Sequence, residues 1–317
     1  MRRSAASTLH ADNGFVHWCV CVVTLECLSA FDYLQWLRTG ARAAEFLHCN
    51  QSTISRQAHK CHEVFGVSLI KKNSEWHING NSKLLDAERL VHQRFRWDKD
   101  LPLRIESQHW MRHYHSDLNL HGWVKGNLNY LEYERPEYLL ANRIIDAWLC
   151  SSPDLPTNPE LKCIQLCSMP SILCVKSLHP LVALGPSITL EDVRKYPLLP
   201  LPKDQFPVFS KQISALGLGD VSLNLNSSGQ HLDTELAIED LVVGIASPLT
   251  LELFGSDVVI LPLNLSVTVG DALIIRSEFA EHPRTHKLIH KLMDHIGLIT
   301  SKITSVHASI PDLTPVS

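Results

Sequence analysis

The sequence predicts an α/β protein built in three stretches: a compact helical unit, a single long helix, and a large part in which strands and helices alternate. Three observations predict it. Apolar residues recur at helical spacing with clear caps between residues 27 and 66. Residues 82–97 contain neither Gly nor Pro. Beyond residue 100, short β-rich runs alternate with helical patterns, the signature of layered α/β folds.

The chain has 317 residues, 45% of them hydrophobic, and a net charge of -4. That composition is ordinary for folded globular protein, and no run reaches the roughly 18 apolar residues that a membrane-spanning helix needs. Nine cysteines, at 19, 21, 27, 49, 61, 150, 163, 167 and 174, are odd in number and form no C-x-x-C. Reduced thiols in a cytoplasmic setting are expected rather than a disulfide framework. Charge is unevenly placed: residues 31–99 carry 11 Lys+Arg against 7 Asp+Glu. A basic N-terminal segment on an acidic body suggests that this segment meets a polyanion.

Residues 1–26 form an N-terminal extension. Its basic start and the apolar run Phe15–Leu25 have the outline of a signal peptide, against which stand Asp12, His17 and the lack of a small-x-small cleavage site. The other reading is a start placed too far upstream, with Val23 leading straight into a helix.

Residues 27–80 are expected to form three helices and a hairpin. In the first, Leu28, Phe31, Leu34 and Leu37 share a face. Thr39 N-caps a short second helix through Ala43, Ala44 and Leu47. Asn50 N-caps a third over residues 51–65, whose Ile54, Ala58, Cys61 and Phe65 make an apolar stripe, and Gly66 closes it. Gln51, Ser52, Ser55 and Arg56 fall on another face at its start. Gln pairs with adenine, Arg with guanine, and serines hold phosphate, so this edge is chemically suited to the major groove. A solvated helix face fits the same pattern. Residues 67–79 read as two strands around Asn73-Ser74, with Lys71 and Lys72 placed either for phosphate contact or simply for solubility.

The run from Ala43 to Gln57, AAEFLHCNQSTISRQ, resembles the helix-turn-helix of LysR-type transcriptional regulators. Ala43, Ala44, Leu47, Gln51, Ser52, Ile54 and Ser55 match the family pattern at fixed spacing. Gly66, Val67 and Leu69 match its next conserved-spacing segment, with Ile70 and Lys72 for the usual Phe and Arg. Departures are Thr39-Gly40, Ala58 and Cys61-His62; the small Ala58 and Cys61 thin the packing of this unit. The resemblance implies a winged helix-turn-helix, with the hairpin at 67–79 as its wing, in which Thr39, Arg42, Gln51, Ser52, Thr53, Ser55, Arg56, Lys71 and Lys72 meet double-stranded promoter DNA.

Residues 81–100 are expected to form a linker helix. Its stripe Leu84, Ala87, Val91 and Phe95, flanked by Leu90, Arg94 and Trp97, calls for a partner. The resemblance implies self-association through it, as a dimer or homotetramer; packing on its own chain is the alternative.

Residues 101–300 contain expected strands at 101–107, 128–133, 171–176, 221–226, 257–263 and 271–277. Helical patterns lie at 136–150 (running into a strand), 189–195, 230–242 and 283–296. A mostly parallel sheet is the expectation from this alternation. The resemblance continues through Leu178-His-Pro-Leu181, Ile188–Val193, Tyr196–Leu199, Asp146 and Leu241–Ala246. It implies a periplasmic-binding-protein-like effector domain, with one lobe over 101–166 and 268–298, the other over 167–267, and a tail at 301–317. Residues at strand ends would then surround a small-molecule effector. Ser107, Gln108, Glu134, Arg135, Ser151, Ser227, Ser228 and Ser247 are the candidates, Arg135 being suited to an organic anion. RNA polymerase is a further implied partner.

No nucleophile elbow, zinc-protease, Walker or dinucleotide motif occurs, so no catalytic residues, metal or cofactor are expected. His109, His113 and His115 could hold a metal only on a common face, and Cys163 and Cys167 read best as buried and inert. The rival from another class is an exported solute-binding protein, which leaves QSTISR and the basic segment unexplained.

Overall fold

Helix α1 (Leu25–Leu37) begins where the Thr24 hydroxyl accepts from the Cys27 amide and ends at Arg38, which turns left-handed at φ 67°. Thr39 caps α2 (Gly40–Phe46) by accepting from the Arg42 amide at 3.3 Å. Helix α3 (Gln51–Phe65) closes on Gly66 at φ 63°, a backbone geometry that favours glycine. The expected cap at its start differs: Asn50 makes no side-chain bond to the helix backbone. Its carboxamide oxygen is taken by the hydroxyls of Ser52 and Thr53, at 3.4 and 3.2 Å. Ile54, Ala58, Cys61 and Phe65 are buried as the stripe predicts, whereas Leu34 of α1 stays half-exposed.

The hairpin β1 (Ser68–Lys72) and β2 (Glu75–Asn79) is antiparallel. Asn73 and Ser74 both have positive φ, as a tight two-residue turn demands. Trp76 donates its indole N–H to the Arg38 carbonyl at 2.8 Å, and Glu75 pairs with the Arg38 side chain. The wing is thereby tied to the end of α1.

This is a computed structural model, and it describes residues 23–116, 118–128, 130, 133–199, 206–218 and 241–306. They divide into two units at Leu84–Leu85, and α4 (Lys83–Asp98) opens the second. Then come β3 (Leu103–Ser107), a 3-10 turn at His109–Met111, α5 (His113–Ser116), β4 (Trp123–Lys125), α6 (Glu134–Ala141) and β5 (Ala147–Ser152). The chain continues through β6 (Leu161–Gln165), β7 (Met169–Pro170), β8 (Ile172–Lys176), α7 (Leu190–Val193) and α8 (Pro207–Ala215). It ends with β9 (Gly244–Ala246), β10 (Val258–Ile260), β11 (Thr268–Arg276) and α9 (Pro283–Val306). None of the described helices is long and apolar enough to cross a membrane.

Two sheets result. The larger has the order β4-β3-β5-β11-β6, with β7 beside β11; the smaller is β10-β8-β9. Only β3 runs parallel to its neighbours, β4 and β5; every other ladder among the described residues is antiparallel. This corrects the mostly parallel sheet. The cause is β11, which returns from the smaller sheet and inserts between β5 and β6 in the opposite direction. The strand expected at 128–133 is absent from the described residues there. Tyr130 makes a single bridge to Gln108, and α6 starts at Glu134. The expected strand 221–226 and most of the helix 230–242 lie outside the described residues.

Each sheet has its own core. Ile105, Leu149 and Leu273 pack under Leu288 and Leu292 of α9 in the first lobe. Leu173, Val175, Val193, Phe209, Val243 and Leu261 fill the second.

Helix α4 is turned opposite to the usual amphipathic sense. It buries Arg89, His92, Gln93, Arg96 and Trp97 together with Leu85. Asp146, fully buried before β5, organises that polar face. Its carboxylate accepts from Gln93 Nε2 at 2.9 Å, Arg96 Nη2 at 3.0 Å and the Arg104 amide at 2.9 Å. Trp97 stacks on Phe279 with ring centroids 4.5 Å apart.

On the other flank of this lobe, α5 lies against β11. Asp271 accepts from the Tyr114 hydroxyl at 2.8 Å and meets His113 Nε2 at 3.0 Å. Burial, then the Asp271 charge, pushes the Tyr114 hydroxyl well up. His115 bonds the Gly126 carbonyl, yet burial holds its pKa down to about 4.

Two outcomes are expected. Asp146→Ala removes the carboxylate from a buried guanidinium and should cost about 3–5 kcal/mol of stability in urea unfolding, Asp146→Asn less; an alanine variant within about 1 kcal/mol of wild type would refute the role. The unfolded chain protonates His115 below pH 6.5 but the folded chain only near 4. Stability should therefore fall as pH drops through that window, and His115→Gln should flatten the fall; an unchanged slope would exclude His115 as its source.

Candidate functional site

In the first unit the expected DNA-facing residues share exposure. Thr39, Arg42, Gln51, Ser52, Ser55, Arg56, Lys71 and Lys72 are exposed and Thr53 is half-buried. Arg56 donates to Thr53 Oγ1 at 3.3 Å, and Thr53 in turn donates to Asn50. The leading edge of α3 is thus a preformed polar chain rather than separate side chains. Gln51 lies over the first turn of α2: a Cβ at Gly40 would stand 3.0 Å from its Cγ. On the wing, the Lys71 ammonium sits 5.5 Å from the Trp76 ring centroid, which steadies one of the two lysines.

Sequence reasoning passed over two neighbours. Gln57 and Lys60 join Thr24, Glu26, Cys27, Thr53 and Arg56 around an open depression of about 430 Å³ between α1 and α3. The signal was available, since Thr53/Gln57 and Arg56/Lys60 are i,i+4 pairs and share a helix side.

The expected effector residues are treated less evenly. Gln108 is 1% exposed; its carboxamide oxygen accepts from the Ser151 amide at 2.9 Å and from the Trp110 indole N–H at 3.0 Å. Ser107 is equally buried, and its amide donates to Glu106. Glu134 and Arg135 open α6, where the Arg135 guanidinium lies 4.7 Å from the Tyr138 ring centroid. Ser247, after β9, is engaged with Thr250: its amide donates to Thr250 Oγ1 at 2.9 Å. Ser227 and Ser228 lie outside the described residues. The structure therefore brings Gln108 and Ser151 together around Trp110, a residue sequence reasoning did not single out.

The histidines and cysteines singled out in the sequence are placed separately. His109 and His113 take different partners, the Leu128 carbonyl and Asp271, because a 3-10 turn interrupts the helix between them. Among the described residues, no three His, Cys, Asp or Glu side chains are grouped to hold a metal. Cys167 is buried as expected but Cys163 is only half-buried; burial pushes both thiols up, and that of Cys174 to about 12. These thiols are poor nucleophiles near neutral pH.

Comparison with curated proteins finds no match by sequence. Solved structures of the same fold do exist. Full-length OxyR from Pseudomonas aeruginosa, a cysteine-to-aspartate variant, is 17% identical, with a TM-score of 0.52 over 93% of this chain and 98% of that one. A probable transcriptional regulator from the same organism is 14% identical, with a TM-score of 0.50 over 86% and 96%. The LysR substrate binding domain matches residues 121–296, more than half of the sequence, and the chain belongs to the LysR family of transcriptional regulators.

Proposed function

We propose that this chain is a sequence-specific DNA-binding regulator that acts on promoter DNA as a self-associated pair or pair of pairs. The observation that carries DNA recognition is the exposed edge Gln51, Ser52, Ser55 and Arg56 at the start of α3, held above a buried stripe on the opposite side. A helix so placed after a short capped helix can enter the major groove and present Gln and Arg to base edges. Lys71 and Lys72 would add phosphate contacts that carry affinity without reading sequence.

Helix α4 supports self-association. With its polar side engaged by Asp146, the stripe that remains outward is apolar: Leu84 is 68% exposed, Val91 61% and Phe95 40%. A second copy of the same helix would cover it, and a two-fold pair matches the symmetry of palindromic half-sites. The two lobes would bind a small-molecule effector, which shifts the DNA-bound arrangement only if it binds the two arrangements with different affinity. This reading makes the chain a cytoplasmic regulator without catalytic activity. It is preferred to an exported solute-binding protein because residues 25–79 form a capped three-helix unit with a wing, starting from Thr24.

Two measurements test the reading. On DNA from its own upstream region, Arg56→Ala should weaken footprinted binding about tenfold or more; comparable, shapeless binding by both proteins would sink the recognition role. Val91→Glu with Phe95→Glu should give a folded chain of lower mass in sedimentation, because neither side chain is buried; unchanged mass would place the interface elsewhere.

A further inference from the structure

Trp110 has a position in the second unit that the family reading leaves unused. Among the described partly buried apolar residues, Trp110 and Val269 pack against the cores of both lobes. Val269 does so because it lies on β11, the strand that runs between them. Trp110 sits on the 3-10 turn after β3 and reaches across with its side chain.

Its ring meets Phe206 of the second lobe, with centroids 5.2 Å apart at 56°. Its N–H is received by Gln108, whose oxygen is fixed from the other side by the Ser151 amide. Nearby in sequence, Asp154 of the first lobe accepts from the amides of Val208 and Phe209, at 2.7 and 3.0 Å. The N-terminus of α8, where an anion would be favoured, is therefore already filled by a carboxylate of the same chain.

We infer that Trp110 occupies the effector site in cis, and that the effector is a planar aromatic molecule with an N–H or O–H donor. Such a molecule replaces the indole against Phe206 and donates to Gln108. The inference rests on the reading of the interlobe region as the effector site. The physical consequence is a gate. While the indole is in place it bridges the lobes, and a ligand must displace it, so apparent affinity falls with the fraction of molecules in which Trp110 is out. An effector recognised by negative charge alone finds no vacant helix end at α8.

The test uses full-length Trp110→Ala, with indole as probe and indene as the same shape without a donor. Indole is expected to raise the thermal midpoint of the variant by about 3 °C or more, indene by less, and neither to move wild type. On the upstream DNA, indole should change the affinity or footprint of the variant by at least about threefold and leave wild type unchanged. If the variant folds poorly, indole during refolding should raise its folded yield. No response of the variant to indole, or an equal response by wild type, overturns the inference. Restored stability with unmoved DNA binding overturns it too, since Trp110 would then be core packing alone. Loss of DNA binding by wild type itself would instead count against the proposed function.

Discussion

One buried carboxylate sets the arrangement of the second unit. Asp146 stands between α6 and β5, fully out of solvent, and accepts hydrogen bonds from Gln93 and Arg96 of α4 and from the backbone of β3. An isolated buried charge is costly, and a carboxylate whose acceptors are taken by a guanidinium, an amide side chain and a backbone N–H is tolerated. Because Asp146 needs those donors, α4 must turn its polar side inward. Leu84, Val91 and Phe95 then have nowhere to go but outward. The outward apolar stripe of α4 is thus a consequence of how one carboxylate is satisfied. Arg143 extends the same network to Gln93 and Glu278, and Arg284 reaches the carbonyls of Arg96 and Leu101 from α9.

The two lobes are joined by a similar pairing of polar groups. Gln108 and Asp154 are strand-end residues of the first lobe, where polar side chains commonly meet ligands. Here their acceptors go to Trp110, Ser151 and the start of α8. Family membership and lobe architecture leave open which groups stand at these strand ends, and here they are groups of the same chain.

The N-terminal helical unit is the most legible part. Its caps, its stripe and its turn glycine are all local signals, and Thr39, Ile54, Ala58 and Gly66 do what their spacing predicts. Its departures from the family pattern are accommodated by packing of α3 on α1. Cys61 is fully buried and its thiol points to the Cys27 carbonyl at 3.4 Å, while His62 packs edge-on to Phe31. Asn50 was the exception, since cap residues have several acceptable hydroxyl partners and backbone geometry chooses among them.

By itself, then, the sequence determined the three capped N-terminal helices, their hairpin and the exposed polar edge of α3, because periodicity and capping act within a few residues. Tertiary structure decided three other things: which side of α4 is buried, that β11 runs against its neighbours, and that Trp110 fills the space between the lobes. Each depends on a partner remote in sequence: Asp146 for Gln93, β5 and β6 for β11, Phe206 for Trp110. Local pattern carries no information about which distant group will satisfy a buried donor, and for these elements that choice determined the outcome.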